Sequence, residues 1–222
     1  MSALGAHTGA PLPRPCCLLQ HEIGIDGAPF YRFESVFDKL PNTAKCKPLM
    51  KLLFDREIYE RFTEAHLTRA RRFVWISTAN IKGTGLRYRG RFLSFVDLMA
   101  SLVNQGVSFR IIHAELPSRP FRERYEQIDS KGQLSGGVEF LHCIRMHAKI
   151  FIVDGLIALV GSPNLTGAGI GAKAKTKRNF EAAFLFEEEE ETEPFMEYFD
   201  YVWMGGPCPD CSLRHICPAP AG

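Results

Sequence analysis

The stretch His147-Ala-Lys-Ile-Phe-Ile-Val-Asp154, followed six residues later by Gly161-Ser-Pro-Asn164, decides how the rest of the chain is read. Two apolar β-rich runs flank Asp154-Gly155, a dipeptide that favours a tight hairpin turn. Residues 148–153 and 156–161 therefore read as the two strands of a β-hairpin. Side chains alternate along a strand, so His147 and Lys149 project from one face. The returning strand brings Ser162 and Asn164 back to them. An imidazole, an ammonium, a hydroxyl and a carboxamide then meet at one spot.

That set suits a phosphodiester. Lys149 supplies a point charge, and Ser162 and Asn164 donate hydrogen bonds to non-bridging oxygens. The His147 imidazole can attack phosphorus and hold it as phosphohistidine. A second imidazole must protonate the leaving alcohol and then activate water.

The full pattern, HxKxxxxDxxxxxxGSxN from His147 to Asn164, resembles the phospholipase D superfamily without a mismatch and occurs once. The resemblance spans roughly residues 55–200. It implies an α/β fold with a mixed β-sheet flanked by helices on both faces. Its members build each active site from two copies of the motif, so a single copy implies a homodimer with one shared site. It also implies a structural role for Asp154 and a downstream Glu that orients the nucleophile through Nδ1, for which Glu181 in Asn179-Phe180-Glu181 is the candidate. Catalysis by such a site needs no metal cofactor.

Short single-motif members resemble nucleases, and the charge pattern agrees with them. Net charge is only +2. Residues 61–124, however, carry twelve Lys/Arg against four Asp/Glu, while residues 187–200 carry eight acids and no Lys or Arg. Basic clusters lie at Arg69/Arg71/Arg72, Arg87/Arg89/Arg91 and Arg119/Arg122/Arg124, with Tyr88, Phe92, Phe121 and Tyr125 among them. Basic residues with aromatics suit a charged backbone and stacked bases. The loop with Lys173, Lys175, Lys177 and Arg178 directly follows the motif and is the leading substrate-binding candidate. The reading is an endonuclease acting on nucleic acid, DNA before RNA. The alternatives are a phospholipase D or phosphatidyl transferase, and a non-catalytic nucleic-acid-binding module.

The chain has 222 residues, 45% of them hydrophobic, enough for one domain with a substantial core. Residues 1–30, rich in Gly, Ala and Pro at their start, read as a flexible extension, residues 31–204 as the catalytic domain and residues 205–222 as a Cys-rich tail. No run of about 20 apolar residues predicts a membrane span. The absence of an export signal points to a cytoplasmic protein. Within the domain, the spacing predicts helices over residues 49–72, 91–105 and 192–203, and a helix with flanking loops within 118–135. Strands are predicted over 73–79, 107–113, 138–141 and 181–186.

Seven cysteines without an export signal argue against a disulfide framework. Cys208-Pro-Asp-Cys211 and Cys217 have the spacing of ligands around one centre. A structural iron–sulfur cluster or zinc is expected there, with Cys46 as the distant fourth ligand, or Cys16 or Cys17 in its place. His215 would instead complete a zinc site. Cys143 reads as a buried apolar residue. His113 and His142 read as core or rim histidines.

Overall fold

The computed structural model describes residues 50–220. The N-terminal extension and Cys16, Cys17 and Cys46 lie outside them. The main sheet has seven strands in the order β1-β9-β8-β7-β2-β5-β6. The strands β2 (Phe73–Thr78), β5 (Ser108–His113) and β6 (Val138–His142) run parallel. The strands β7 (Ile150–Val153), β8 (Ile157–Gly161), β9 (Ala182–Phe186) and β1 (Lys51–Phe54) add antiparallel on the other side. The chain crosses from β2 to β5 through helix α1 (Phe95–Val103), and from β5 to β6 through α2 (Arg119–Asp129). Helix α3 (Glu189–Trp203) follows β9.

Helices cover both faces, because β7 is apolar at every position. Phe151 and Val153 join Phe95, Leu98, Phe121 and Ile128 of α1 and α2 in the larger core. Ile150 and Ile152 join Phe199 and Val202 of α3 in the smaller one. A strand covered on one face alternates apolar with polar, whereas one covered on both does not. Each such fully buried side chain is worth about 1.5–3 kcal/mol, so the short β7 is a strong anchor for the residues at its ends.

Two predicted helices are corrected. The 49–72 helix is replaced by β1, a seven-residue π-helical segment Ile58–Glu64 and a 3-10 turn Leu67–Arg69. The backbone of Lys51–Phe54 pairs with β9, Lys51 opposite Leu185, and this long-range ladder overrides the local apolar spacing. The 91–105 helix starts only at Phe95. Arg91–Ser94 is a strand, β4, that forms a separate hairpin with β3 (Gly85–Tyr88). Ser94 then caps α1 in a reciprocal capping box with Asp97. The segment 118–135 forms α2 with a loop on its C-terminal side. No helix among the described residues is long and apolar enough to cross a membrane.

The Asp154-Gly155 turn joins β7 to β8, with φ of +59° and +78° at its two residues. The Asp154 carboxylate accepts the backbone N–H groups of Arg71 (2.9 Å), Arg72 (2.7 Å) and Phe73 (3.1 Å). It thereby ties the hairpin to the start of β2, at the end of β7 remote from His147.

Asp154→Ala should cost about 2–3 kcal/mol, from the lost charged hydrogen bonds and a strained Ala at positive φ. Asp154→Asn should cost less, since Asn tolerates that φ and keeps an acceptor. Urea unfolding of the two variants measures the difference, and equal losses would contradict the clamp.

Candidate active site

His147 and Lys149 lie on the segment that enters β7, and their alignment survives although the strand itself begins at Ile150. His147 is exposed, while Lys149 is only 9% accessible. Lys149 Nζ lies 3.0 Å from His147 Nε2. An ammonium can only donate, so Nε2 accepts and a neutral imidazole carries its proton on Nδ1. The lone pair of Nε2 is thus held within the charged centre. Burial lowers the pKa of Lys149, and the negative charge of Glu181 partly opposes this.

Ser162 and Asn164 arrive on the segment leaving β8. Gly161 precedes them because β8 and β9 approach closely there. A Cβ at Gly161 would fall 2.3 Å from the Ala182 carbonyl oxygen and 2.6 Å from Ala183 Cα. Ser162 and Ala182 are tied by two bonds, Ser162 N–H to the Ala182 carbonyl (3.0 Å) and Ala182 N–H to Ser162 Oγ (3.2 Å). Ser162 Oγ also donates to Glu181 Oε2.

The Asn164 side chain is oriented by the end of β2. Its Oδ1 accepts from Thr78 Oγ1 (3.1 Å), Ala79 N–H (3.1 Å) and Asn80 N–H (3.2 Å). With the carbonyl so engaged, the amide NH₂ is left as the donor end of the side chain.

Glu181 stands where its strand was expected to bring it, beside the hairpin, but with different partners. Its Oε1 accepts from Asn179 Nδ2 (3.0 Å) and its Oε2 from Ser162. The bond to His147 Nδ1 that the resemblance implies is not among its hydrogen bonds. Asp55 fixes the Glu181 backbone: Oδ1 accepts the Glu181 N–H (2.8 Å), and the Asp55 N–H donates to the Glu181 carbonyl (3.0 Å). Asp154 is not in this cluster.

Thr78, Asn80 and Asp55 were missed from sequence. For Thr78 and Asn80 a signal existed, since polar residues at the C-terminal end of a buried parallel strand often face a site. Asp55 gave none, because its role depends on β1 pairing with β9. Behind Asn80, whose amide Nδ2 donates to Glu115, lies a histidine pair. His113 Nδ1 donates to the Glu115 carbonyl (2.9 Å), and the His113 ring stacks on His142 at 4.9 Å. His113 is a buried support, and burial lowers its pKa.

The basic loop ends against the site through Asn179 and Glu181. Lys173, Lys175 and Lys177 are exposed, and Arg178 is half-buried. Arg178 Nη1 is buried without a hydrogen-bond partner among the described residues. Phe180, next to Glu181, is 97% exposed.

The tail cysteines do not converge as expected. Among the described residues no group of three His, Cys, Asp or Glu side chains is placed to hold a metal ion. Cys211 is hydrogen-bonded to Arg145, which lowers its thiol pKa, whereas the Cys217 thiol lies 4.0 Å from the His142 carbonyl. Different partners therefore hold the two thiols. Cys143, expected buried, lies just past β6 and is half-buried.

A family model described as "Cardiolipin synthase, PLD-like domain" matches residues 64–203. No curated protein matches the chain. Among solved structures, the phospholipase D family member Nuc from Salmonella typhimurium is similar at 17% identity and a TM-score of 0.50, covering 69% of this chain and 93% of that one. NucT from Helicobacter pylori is 15% identical, with a TM-score of 0.47 and coverage of 69% and 96%. Phosphatidylserine synthase from Haemophilus influenzae Rd KW20 is 15% identical, with a TM-score of 0.43 and coverage of 68% and 37%.

Gly161→Ala should destabilise the protein by about 1–3 kcal/mol through overpacking, so its urea denaturation midpoint should fall, and an unchanged midpoint would contradict the close approach of β8 and β9. The His113 pKa is depressed in the fold, so the unfolded chain binds an extra proton between the folded value and about 6.5. Stability should therefore fall as pH drops below about 6.5. His113→Gln should make the decline between pH 7 and 5 shallower, and an unchanged slope would remove His113 as a cause.

Proposed function

Because the chain belongs to the phospholipase D-like family, we propose that it is a phosphodiesterase cleaving nucleic acid, DNA first, through a phosphohistidine on His147. The observation that carries the reading is the 3.0 Å contact between Lys149 Nζ and His147 Nε2. It sets a nucleophilic lone pair beside a charge that attracts phosphate. In the first step the phosphate takes over the Lys149 ammonium and frees the Nε2 lone pair, which attacks phosphorus; a P–N bond forms and the P–O bond to the leaving alcohol breaks. The imidazolium of a second copy's His147 gives that oxygen its proton. In the second step the same imidazole, now neutral, takes a proton from water, which displaces His147 and releases the phosphomonoester. Lys149 and the Asn164 NH₂ stabilise the charge on the non-bridging oxygens in both steps. They supply what a divalent cation supplies elsewhere, so the chemistry needs no metal.

One chain contributes one His147, so the active form is a homodimer. Nucleic acid as substrate is supported by the lysines of the loop at 173–178, by the unpartnered Arg178 nitrogen and by the exposed Phe180 ring, which suits base stacking. A lipid phosphodiester is the second reading, favoured by the description of the matching family model.

Purified protein should cleave single- and double-stranded DNA in EDTA, and His147→Ala should reduce the rate by at least ~10²–10⁴-fold. Cleavage of phosphatidylglycerol vesicles without DNA cleavage would move the assignment to lipid. DNA binding with no cleavage of either would make the fold a binding module. After subunit exchange at equal amounts of wild type and His147→Ala, a shared site should retain about one quarter of the activity; one half would mean independent sites.

A further inference from the structure

Two of the arginine clusters in the sequence have no part in the catalytic site. Residues 69–72 and 87–91 are far apart in the chain, yet Arg69, Arg71, Arg87 and Arg89 line one open cavity of about 800 Å³. Tyr88, Leu102 and Gln105 complete much of its wall, and Glu64 is the one carboxylate among the lining residues. Arg89 has a local explanation, since it donates to Gln105 Oε1 (3.2 Å) and lies over the Tyr88 ring. Arg69 and Arg71 have none, and Arg87 has only its ring contact to the exposed Phe92. All three are exposed, and among the described residues none forms an ion pair with a carboxylate. Phe92, directly across the β3–β4 hairpin from Arg87, is 72% exposed, and the Arg87 guanidinium lies over its ring at 5.7 Å.

The position of this cleft is set by β2. Arg71 and Arg72 precede that strand, and Thr78, which bonds Asn164, ends it. Six residues of strand separate the cleft from the catalytic end by roughly 20 Å. The arginines are therefore too far away to touch the phosphate under attack. Clustered, unneutralised guanidiniums beside exposed aromatic surface match a phosphate backbone with unpaired bases.

We infer that the Arg69/Arg71/Arg87 cleft is a second nucleic-acid-binding site, which holds a single strand by its phosphates and stacks a base on Phe92 while another part of the strand occupies the catalytic site. The inference rests on the nuclease reading and adds to it where the uncleaved part of the substrate is held. Strands long enough to span both sites gain affinity from the cleft, and a small phosphodiester gains none.

The test compares full-length His147→Ala protein with the same protein carrying Arg69→Ala, Arg71→Ala and Arg87→Ala. Binding of a fluorescent single-stranded 30-mer is followed across salt concentration. The added substitutions should weaken binding at least tenfold and lower the slope of log K against log salt by about 2, at ~0.7 per lost phosphate contact. In the otherwise wild-type protein, the three substitutions should leave hydrolysis of bis(4-nitrophenyl) phosphate unchanged, which also shows that the fold is intact. Unaltered affinity and slope would overturn the second site and leave the nuclease assignment standing. Failure of His147→Ala to bind the 30-mer at all would overturn the second site, and absence of DNA cleavage by the wild type would separately remove the nuclease reading.

Discussion

Two motif side chains clamp the two ends of one strand, and the arrangement of the site follows from that. The Asp154 carboxylate takes the backbone N–H groups at the start of β2, and Asn164 Oδ1 takes those just past its end. Between the clamps β2 pairs antiparallel with β7 from Val74 opposite Val153 to Ser77 opposite Ile150. The hairpin that carries the motif is therefore held to the parallel half of the sheet at both extremities. Neither clamp consumes the groups needed for chemistry, because Asp154 stays remote and Asn164 uses only its carbonyl.

The charge at the site is placed at a cost that gives it purpose. Lys149 loses most of its hydration, which disfavours the ammonium, and the Glu181 carboxylate only partly compensates. A cation held in this way gains more from an arriving phosphate than a solvated one does, since the dielectric around it is lower. Glu181 is itself occupied by Ser162 and Asn179. It stiffens the Ser162 end of the site, and Asp55 stiffens Glu181. This chain of supports runs through β1, β9 and β8, so the edge strand of the sheet contributes to the position of a hydroxyl several strands away from the sheet's other edge.

The differences between the expected and the observed elements have definite causes. The helix expected over 49–72 rested on apolar spacing, which a strand followed by a π-helical segment satisfies as well. The helix expected from residue 91 began four residues late because Arg91–Ser94 found partners in Gly85–Tyr88. The cysteine tail had the spacing of a metal site, but spacing constrains only how the ligands could be reached. In the fold, Arg145 and the His142 carbonyl engage different thiols.

The sequence by itself determined the hairpin, the common face of His147 and Lys149, the return of Ser162 and Asn164, and the family. All of these depend on alternation and turn chemistry within about twenty residues, where strand geometry leaves few choices. Only the tertiary structure decided that the Asp154 carboxylate binds the backbone at the start of β2, that Glu181 bonds Ser162, that Asp55 and Thr78 support the site and that two distant arginine clusters share one cleft. Those facts depend on which strands lie side by side. That order is selected by burial on both faces of the sheet and by backbone pairing between segments up to a hundred or more residues apart, which no local periodicity encodes.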